Sequence, residues 1–177
     1  DSVQLEHART LCRRDEQKVE LSSVVRDTVI CGSVVRIRKG FRGNLQIFAS
    51  DSVIVEEGAM LEYPSGIYVD SGERRPYVSL EKCSSVSGYV IVTSENSDSQ
   101  LRYPSYVQKS GATINGLLYV DGSCNIEGDI IGAAYVKDCY YYSNGNVYAG
   151  TLYDARVVRS DSLAFPIFLK GPYERKM

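Results

Sequence analysis

The sequence predicts an all-β chain wound as a single-stranded parallel β-helix, a solenoid of undetermined handedness, with a short N-terminal helix or cap. Two observations predict it. From Ile114 to Val136 every even position is apolar or glycine, while Asn115, Tyr119, Asp121, Ser123, Asn125, Glu127 and Asp129 occupy odd ones, a period of two that marks strand with one buried face. Superimposed on it, Ile114-Asn-Gly, Val120-Asp-Gly and Ile126-Glu-Gly recur as hexads. One straight strand of this length would extend roughly 75 Å, whereas a compact chain of this size has a radius of gyration of about 16 Å. The chain must turn every few residues while keeping its inward stripe, and glycine permits such corners. The rival architecture is an antiparallel β-sandwich, favoured by the hairpin signal Asn144-Gly145.

Within residues 1–20, Leu5, Ala8, Leu11 and Cys12 fall at helical spacing, Ser2 is placed to cap the start, and the charged run Arg13-Arg14-Asp15-Glu16 follows. This predicts a helical cap over the first coil or the stub of an anchor. The chain starts with Asp1 rather than Met, so a targeting or anchoring segment ahead of it is an expectation, and the only route to a membrane. Residues 21–177 are expected to form one β-helix domain.

From Val19 onward short runs such as Val34-Val35-Arg-Ile37, Val53-Ile54-Val55, Ile67-Tyr-Val69 and Val90-Ile91-Val92 alternate with Gly, Ser, Asp and Asn, which predicts many short strands. The motif Leu-x-Tyr-Pro-Ser returns from Leu61 to Leu101, about two coils later, and proline assigns each copy to a corner or coil end. The apolar run Leu163–Leu169 predicts a C-terminal cap over 163–177, with an ordinary edge strand as the alternative.

Net charge is −2 over 177 residues, so no global field favours nucleic acid. The five cysteines form no CxxC pair, which argues against structural zinc, while Cys124 with Cys139 would close a loop worth about 3 kcal/mol if oxidised. The single histidine, His7, lies in the N-terminal segment, and no catalytic fingerprint is present, so no enzyme, cofactor or metal site is expected. The odd-numbered row Asp121 to Asp129 places oxygen ligands at alternate positions, but Ile126 and Gly132 stand where a calcium loop needs glycine and glutamate; it reads as a solvated strand face. Arg36, Arg38, Lys39 and Arg42 form a basic patch that would either meet an anionic polymer or guard an early coil from edge pairing. Tyr140, Tyr141, Tyr142, Tyr148 and Tyr153 gather around Ser143–Asn146 as a candidate interaction surface; stacked tyrosine ladders give the same pattern.

At Ile114-Asn-Gly, Ile126-Glu-Gly-Asp-Ile and Tyr148-Ala-Gly-Thr-Leu the chain resembles bactofilins and related polymer-forming bacterial β-helical proteins over about residues 110–157, and is similar to β-helical segments of bacterial envelope proteins. The hexads also resemble those of left-handed β-helix acyltransferases, whose base histidine has no counterpart near them. The bactofilin resemblance implies a non-enzymatic scaffold or assembly role in the cell envelope, periplasmic or at the surface, with self-association or envelope proteins as partners. A cytoplasmic location is the alternative setting, and a glycan- or surface-binding module using the tyrosine-rich face is the alternative function.

Overall fold

The computed structural model describes residues 9–12, 17–19, 25–94 and 103–160. These form twelve strands and no helix: β1 Arg9–Cys12, β2 Gln17–Val19, β3 Val25–Ile37, β4 Arg42–Val55, β5 Met60–Asp70, β6 Tyr77–Leu80, β7 Ser85–Thr93, β8 Tyr106–Gln108, β9 Thr113–Ile126, β10 Asp129–Ser143, β11 Asn146–Ala149 and β12 Arg156–Val158. The helix expected within residues 1–20 is therefore corrected for its described part, which forms β1 and β2. Both pair in parallel with β3, Leu11 opposite Ile30 and Val19 opposite Ile37. Pairing to an existing strand edge satisfies backbone groups that a short isolated helix leaves half unmade, and it overrides the helical spacing.

All pairings are parallel except that of β10 with β11, which corrects the sandwich alternative. Strands β4, β5, β7, β9, β8 and β6 close a ring of pairings, and β3 and β10 extend it on either side. The long strands β4 and β9 each pair through both halves: β4 meets β5 through Gln46–Ala49 and β6 through Ser52–Val55.

The register arranges the core as columns. Ile30, Ile47, Ile67, Val90, Leu118 and Ala134 stand opposite one another in succession. A second column runs Val35, Val53, Val78, Tyr106, Cys124 and Cys139, and a third Leu61, Val86, Ile114 and Ile130. Nearly all these side chains are buried in one cluster, with Ala134 and Cys139 packed against it. A fully buried aliphatic side chain contributes about 1.5–3 kcal/mol, so each column is a continuous line of stabilisation. The even-numbered stripe is buried from Ile114 through Ile130 and Gly132, as its period of two requires.

Two kinds of corner make the turns. Four are equivalent tight turns, in which the amides of Phe41, Ala59, Ser84 and Ala112 donate to the carbonyls of Arg38, Glu56, Glu81 and Lys109 at 3.0, 3.1, 3.1 and 3.0 Å. Their third positions have positive φ: Gly40, Gly58, Gly111 and, without glycine, Cys83 at 57°. The second kind is a stack at Ser65, Gly88, Gly116 and Gly132, which follow one another in register. A Cβ on Gly116 would lie 1.8 Å from the Gly88 carbonyl oxygen, and one on Gly132 would lie 1.9 Å from that of Gly116, so only glycine lets the backbones approach this closely.

The two Tyr-Pro-Ser segments occupy different corners. Ser65 leads into the part of β5 that pairs with Gln46–Ala49, whereas Ser105 leads into β8, so the echo is not a structural period. Leu101 and the expected C-terminal cap over 163–177 lie outside the described residues.

Candidate functional site

The tyrosine-rich segment folds as β10, a tight turn and β11. Asn144 and Gly145 have φ of 50° and 79°, the two left-handed positions that a type I′ hairpin turn needs, and Ser143 stands opposite Asn146. Tyr141 therefore lies across from Tyr148, with ring centroids 6.1 Å apart. Tyr153, arriving after the hairpin, stacks on Tyr141 with centroids 4.3 Å apart and planes at 23°. Tyr148 and Tyr153 are 47% and 55% exposed, so these three rings make an accessible aromatic platform.

The other two candidates do not join it. Tyr140 and Tyr142 alternate with Tyr141 along the strand, and Tyr140 is buried. The Tyr142 hydroxyl is buried without a hydrogen-bond partner, and burial raises its pKa, with Tyr140 adding to the shift. The candidate surface is thus Tyr141, Tyr148 and Tyr153.

The basic patch is largely neutralised across neighbouring strands. Arg38 pairs with Glu56 at 3.2 Å, Lys39 with Glu57 at 3.1 Å and Arg42 with Glu62 at 2.8 Å. Of these, Lys39, Glu56 and Glu57 line a corner depression of mixed sign with Glu81, Lys82, Lys109 and Glu127, which offers an anionic polymer no uniform field.

The row expected as a solvated face is only partly so. Ser123 and Asn125 are 2% and 7% exposed. The Tyr103–Ser105 segment lies against this row: the Ser123 hydroxyl donates to the Tyr103 carbonyl at 3.4 Å, and the Ser105 amide donates to the Ser123 carbonyl at 2.8 Å. The Asn125 amide donates to Glu127 at 3.3 Å while its own carbonyl oxygen is buried and unpartnered. Among the described residues no group of three or more His, Cys, Asp or Glu side chains is placed to hold a metal ion. His7 lies outside the described residues.

The buried titratable groups are protonated. Cys124, buried, and Cys139, half-buried, are register neighbours, as the loop they would close requires, but both are free thiols, and burial raises the pKa of both. Tyr106, fully buried, is held well above its ordinary value by desolvation, and its hydroxyl donates to Gln108 at 3.1 Å. Such groups are poor nucleophiles and bases near neutral pH.

A surface that the sequence did not announce lies on the outer side of the first column. Phe48, Tyr68, Ile91, Tyr119 and Tyr135 follow one another in register, and Phe48, Tyr119 and Tyr135 are 43%, 41% and 50% exposed. The signal was hard to find because insertions of unequal length separate its members in the chain. No protein-family model matches the chain, and no curated protein or solved structure matches it.

Proposed function

We propose that the chain is a one-start parallel β-helix acting as a non-enzymatic structural or assembly component. The observation that supports this most is the order of the columns: Ile30, Ile47, Ile67, Val90, Leu118 and Ala134 each come later in the chain than the residue they pack on. A chain that meets its own earlier strand in register after each circuit is a stack of coils. The pairing ring through β4 and β9 then follows from single strands that run around a corner and belong to two sides of one coil. Solenoids of this kind offer long regular side walls and strand-edged ends, both suited to assembly. A setting in the bacterial cell envelope, with self-association or envelope proteins as partners, rests on the resemblance to bactofilins alone.

The test is the association state of the purified protein across a concentration range, by light scattering and electron microscopy, with and without residues 1–20. Ordered oligomers or filaments are the expected result, and removal of β1 and β2 bares the β3 edge and strengthens end-to-end association. A strict monomer in both forms overturns the assembly role.

A second reading, a glycan- or surface-binding module, is supported by the stacking of Tyr141 on Tyr153 beside Tyr148. Exposed tyrosine rings present apolar faces to sugar C–H groups and a hydroxyl to their oxygens. Binding on a glycan array that Tyr141→Ala abolishes is its expected result, and absence of binding to every glycan overturns it.

A further inference from the structure

We infer that the chain carries a disulfide site at each end of its strand order, Cys12 with Cys31 and Cys124 with Cys139, each closed by exchange with a low-molecular-weight disulfide. The inference goes beyond the assembly reading and stands without it, because it uses only the register of the strands.

Placement carries it first. Cys12 of β1 stands opposite Cys31 of β3, and Cys124 of β9 stands opposite Cys139 of β10. Four of the five cysteines thus fall in two register pairs, which scattered placement would seldom produce. Strands β1 and β3 open the strand order, and β9 and β10 are its last long members, so each pair joins an outer strand to the one it lies on. In the inward column Val35, Val53, Val78, Tyr106, Cys124 and Cys139, the thiols occupy only the last two places. Valine fills other places in the same column, so packing alone does not call for cysteine there. The fifth cysteine, Cys83, is exposed in a tight turn whose equivalents in the neighbouring turns place Gly58 and Gly111 at that position, so it meets no second thiol.

Geometry carries it next. Register partners in a parallel ladder lie on the same face of the sheet, about 4.8 Å apart. The Cα atoms of a disulfide are about 4.4–6.8 Å apart, so the backbone spacing is already met. The Cβ atoms must approach by only about 0.3–0.5 Å to reach the usual upper limit of about 4.5 Å. Strand β10 can supply that movement. Its register with β9 breaks between Val136 and Asp138, immediately before Cys139, and beyond it lie only the short strands β11 and β12.

The chemistry follows from exposure. The structure shows Cys124 and Cys139 as thiols, the first buried and the second half-buried, so Cys139 is the one that meets solvent-borne reagents. Its thiolate attacks one sulfur of the small disulfide, forming a mixed disulfide and releasing one small thiolate. The Cys124 thiolate then attacks the Cys139 sulfur and expels the second. The two protein sulfurs are oxidised together by two electrons, the small disulfide is reduced to two thiols, and the two protons lost by the cysteines end on those thiols. Burial raises the pKa of both cysteines, so the exchange is slow near neutral pH and quickens as pH rises. Each bond closes one circuit of the chain onto the strand it lies on, which restricts the unfolded chain and holds the outer strands, where a stacked array frays first. Bonds of this kind persist in an oxidising compartment.

The experiment uses oxidised glutathione as the probe. The full chain is incubated in a glutathione redox buffer at about pH 8.5, where an ordinary thiol is half ionised, and a second sample is refolded from urea in the same buffer. Remaining thiols are trapped with N-ethylmaleimide, and peptides are mapped by mass spectrometry without reduction. Cys12 joined to Cys31 and Cys124 joined to Cys139 are expected, with Cys83 carrying maleimide or glutathione. The melting point should rise by about 5 °C or more and fall back in dithiothreitol. Cys139→Ser should remove its own linkage and part of that rise while leaving Cys12 joined to Cys31, and Cys83→Ser should change neither linkage. A pair that stays as thiols, or takes up glutathione separately, in both samples overturns the assignment at that end. Cysteines joined in any other pairing, within one chain or between two, overturn it altogether.

Discussion

At the scale of single residues, two features of the core set the conditions under which the protein holds together. Gly116 has φ of 147° and sits against the Gly88 carbonyl, whereas Gly145, with φ of 79° in the hairpin turn, has nothing near the position of a Cβ. Gly145→Ala therefore meets only the left-handed backbone penalty, about 1 kcal/mol, while Gly116→Ala must also force two stacked strands apart. The expected cost of Gly116→Ala is about 3 kcal/mol or more, a melting point lower by about 10 °C against about 3 °C for Gly145→Ala, read by thermal denaturation. The buried thiols set a pH limit. Burial raises the pKa of Cys124 and of Cys139, so the folded state keeps protons that the unfolded chain releases. Their contribution to stability is complete below the unfolded thiol value of about 8.5 and is lost as pH rises above it, by up to about 1.4 kcal/mol per pH unit for each thiol still protonated in the fold. Tyr106 adds the same dependence above about pH 10. Urea unfolding should show stability level between about pH 6 and 8 and falling above about 9, and Cys124→Ala should make the fall shallower by one proton.

At the scale of elements, the turn before β10 is the irregular one, and a buried amide compensates for it. The four other corners of this kind place Phe41, Ala59, Ser84 or Ala112 inward, but from Ile126 to Asp129 only Glu127 and Gly128 intervene. Gln108, wholly buried between Leu80 and Ile126 in register, fills the space: its side-chain amide donates to the Ala112 and Asp129 carbonyls at 2.9 and 3.0 Å and accepts from Tyr106. Gln108→Leu keeps the volume but removes the partner of the Tyr106 hydroxyl and the side-chain donor to the Ala112 and Asp129 carbonyls, the first of which keeps the Asp129 amide, at a cost of about 2–3 kcal/mol, and Tyr106→Phe costs about 1 kcal/mol. Because the Tyr106 hydroxyl is stranded only when Gln108 is lost, the double variant should cost less than the sum, which chemical denaturation measures. Gln108 was illegible in the sequence, since a glutamine in a short strand reads as outward until the register shows its neighbours. The inward stripe of β9 and β10 was legible because its alternation is local and unbroken from Ile114. The hairpin at Asn144-Gly145 was legible too, and the same alternation already separated Tyr141 from Tyr140 and Tyr142, a distinction that clustering by composition passed over. The N-terminal segment misled because Leu5, Ala8, Leu11 and Cys12 satisfy a helical period, while the β3 edge that organises β1 lies far along the chain.

At the scale of the whole molecule, every column couples each strand mainly to the one before and the one after it, so stability should be distributed as in a linear array. The middle strands β5 and β7 are flanked on both sides by long partners, whereas β10 rests on β9 and is covered beyond only by the short strands β11 and β12. The same truncation should therefore act differently by position. Ile130→Ala and Ile67→Ala each remove an aliphatic group with no solvent exposure, at a cost of about 2–5 kcal/mol. At the end of the array that energy releases a terminal unit; in the middle it weakens interfaces on both sides, and the whole structure opens together. Native-state hydrogen exchange separates the two. Ile130→Ala should lower protection of the amides in β10 and β12 while those of β4 and β5 stay close to wild type, and Ile67→Ala should lower protection across the chain. Equal loss of protection everywhere in Ile130→Ala would show a single closed cooperative barrel, in which the ring β4–β5–β7–β9–β8–β6 opens as a unit. Graded loss from the β10 end would show that the strands behave as successive coils, each held by its neighbours.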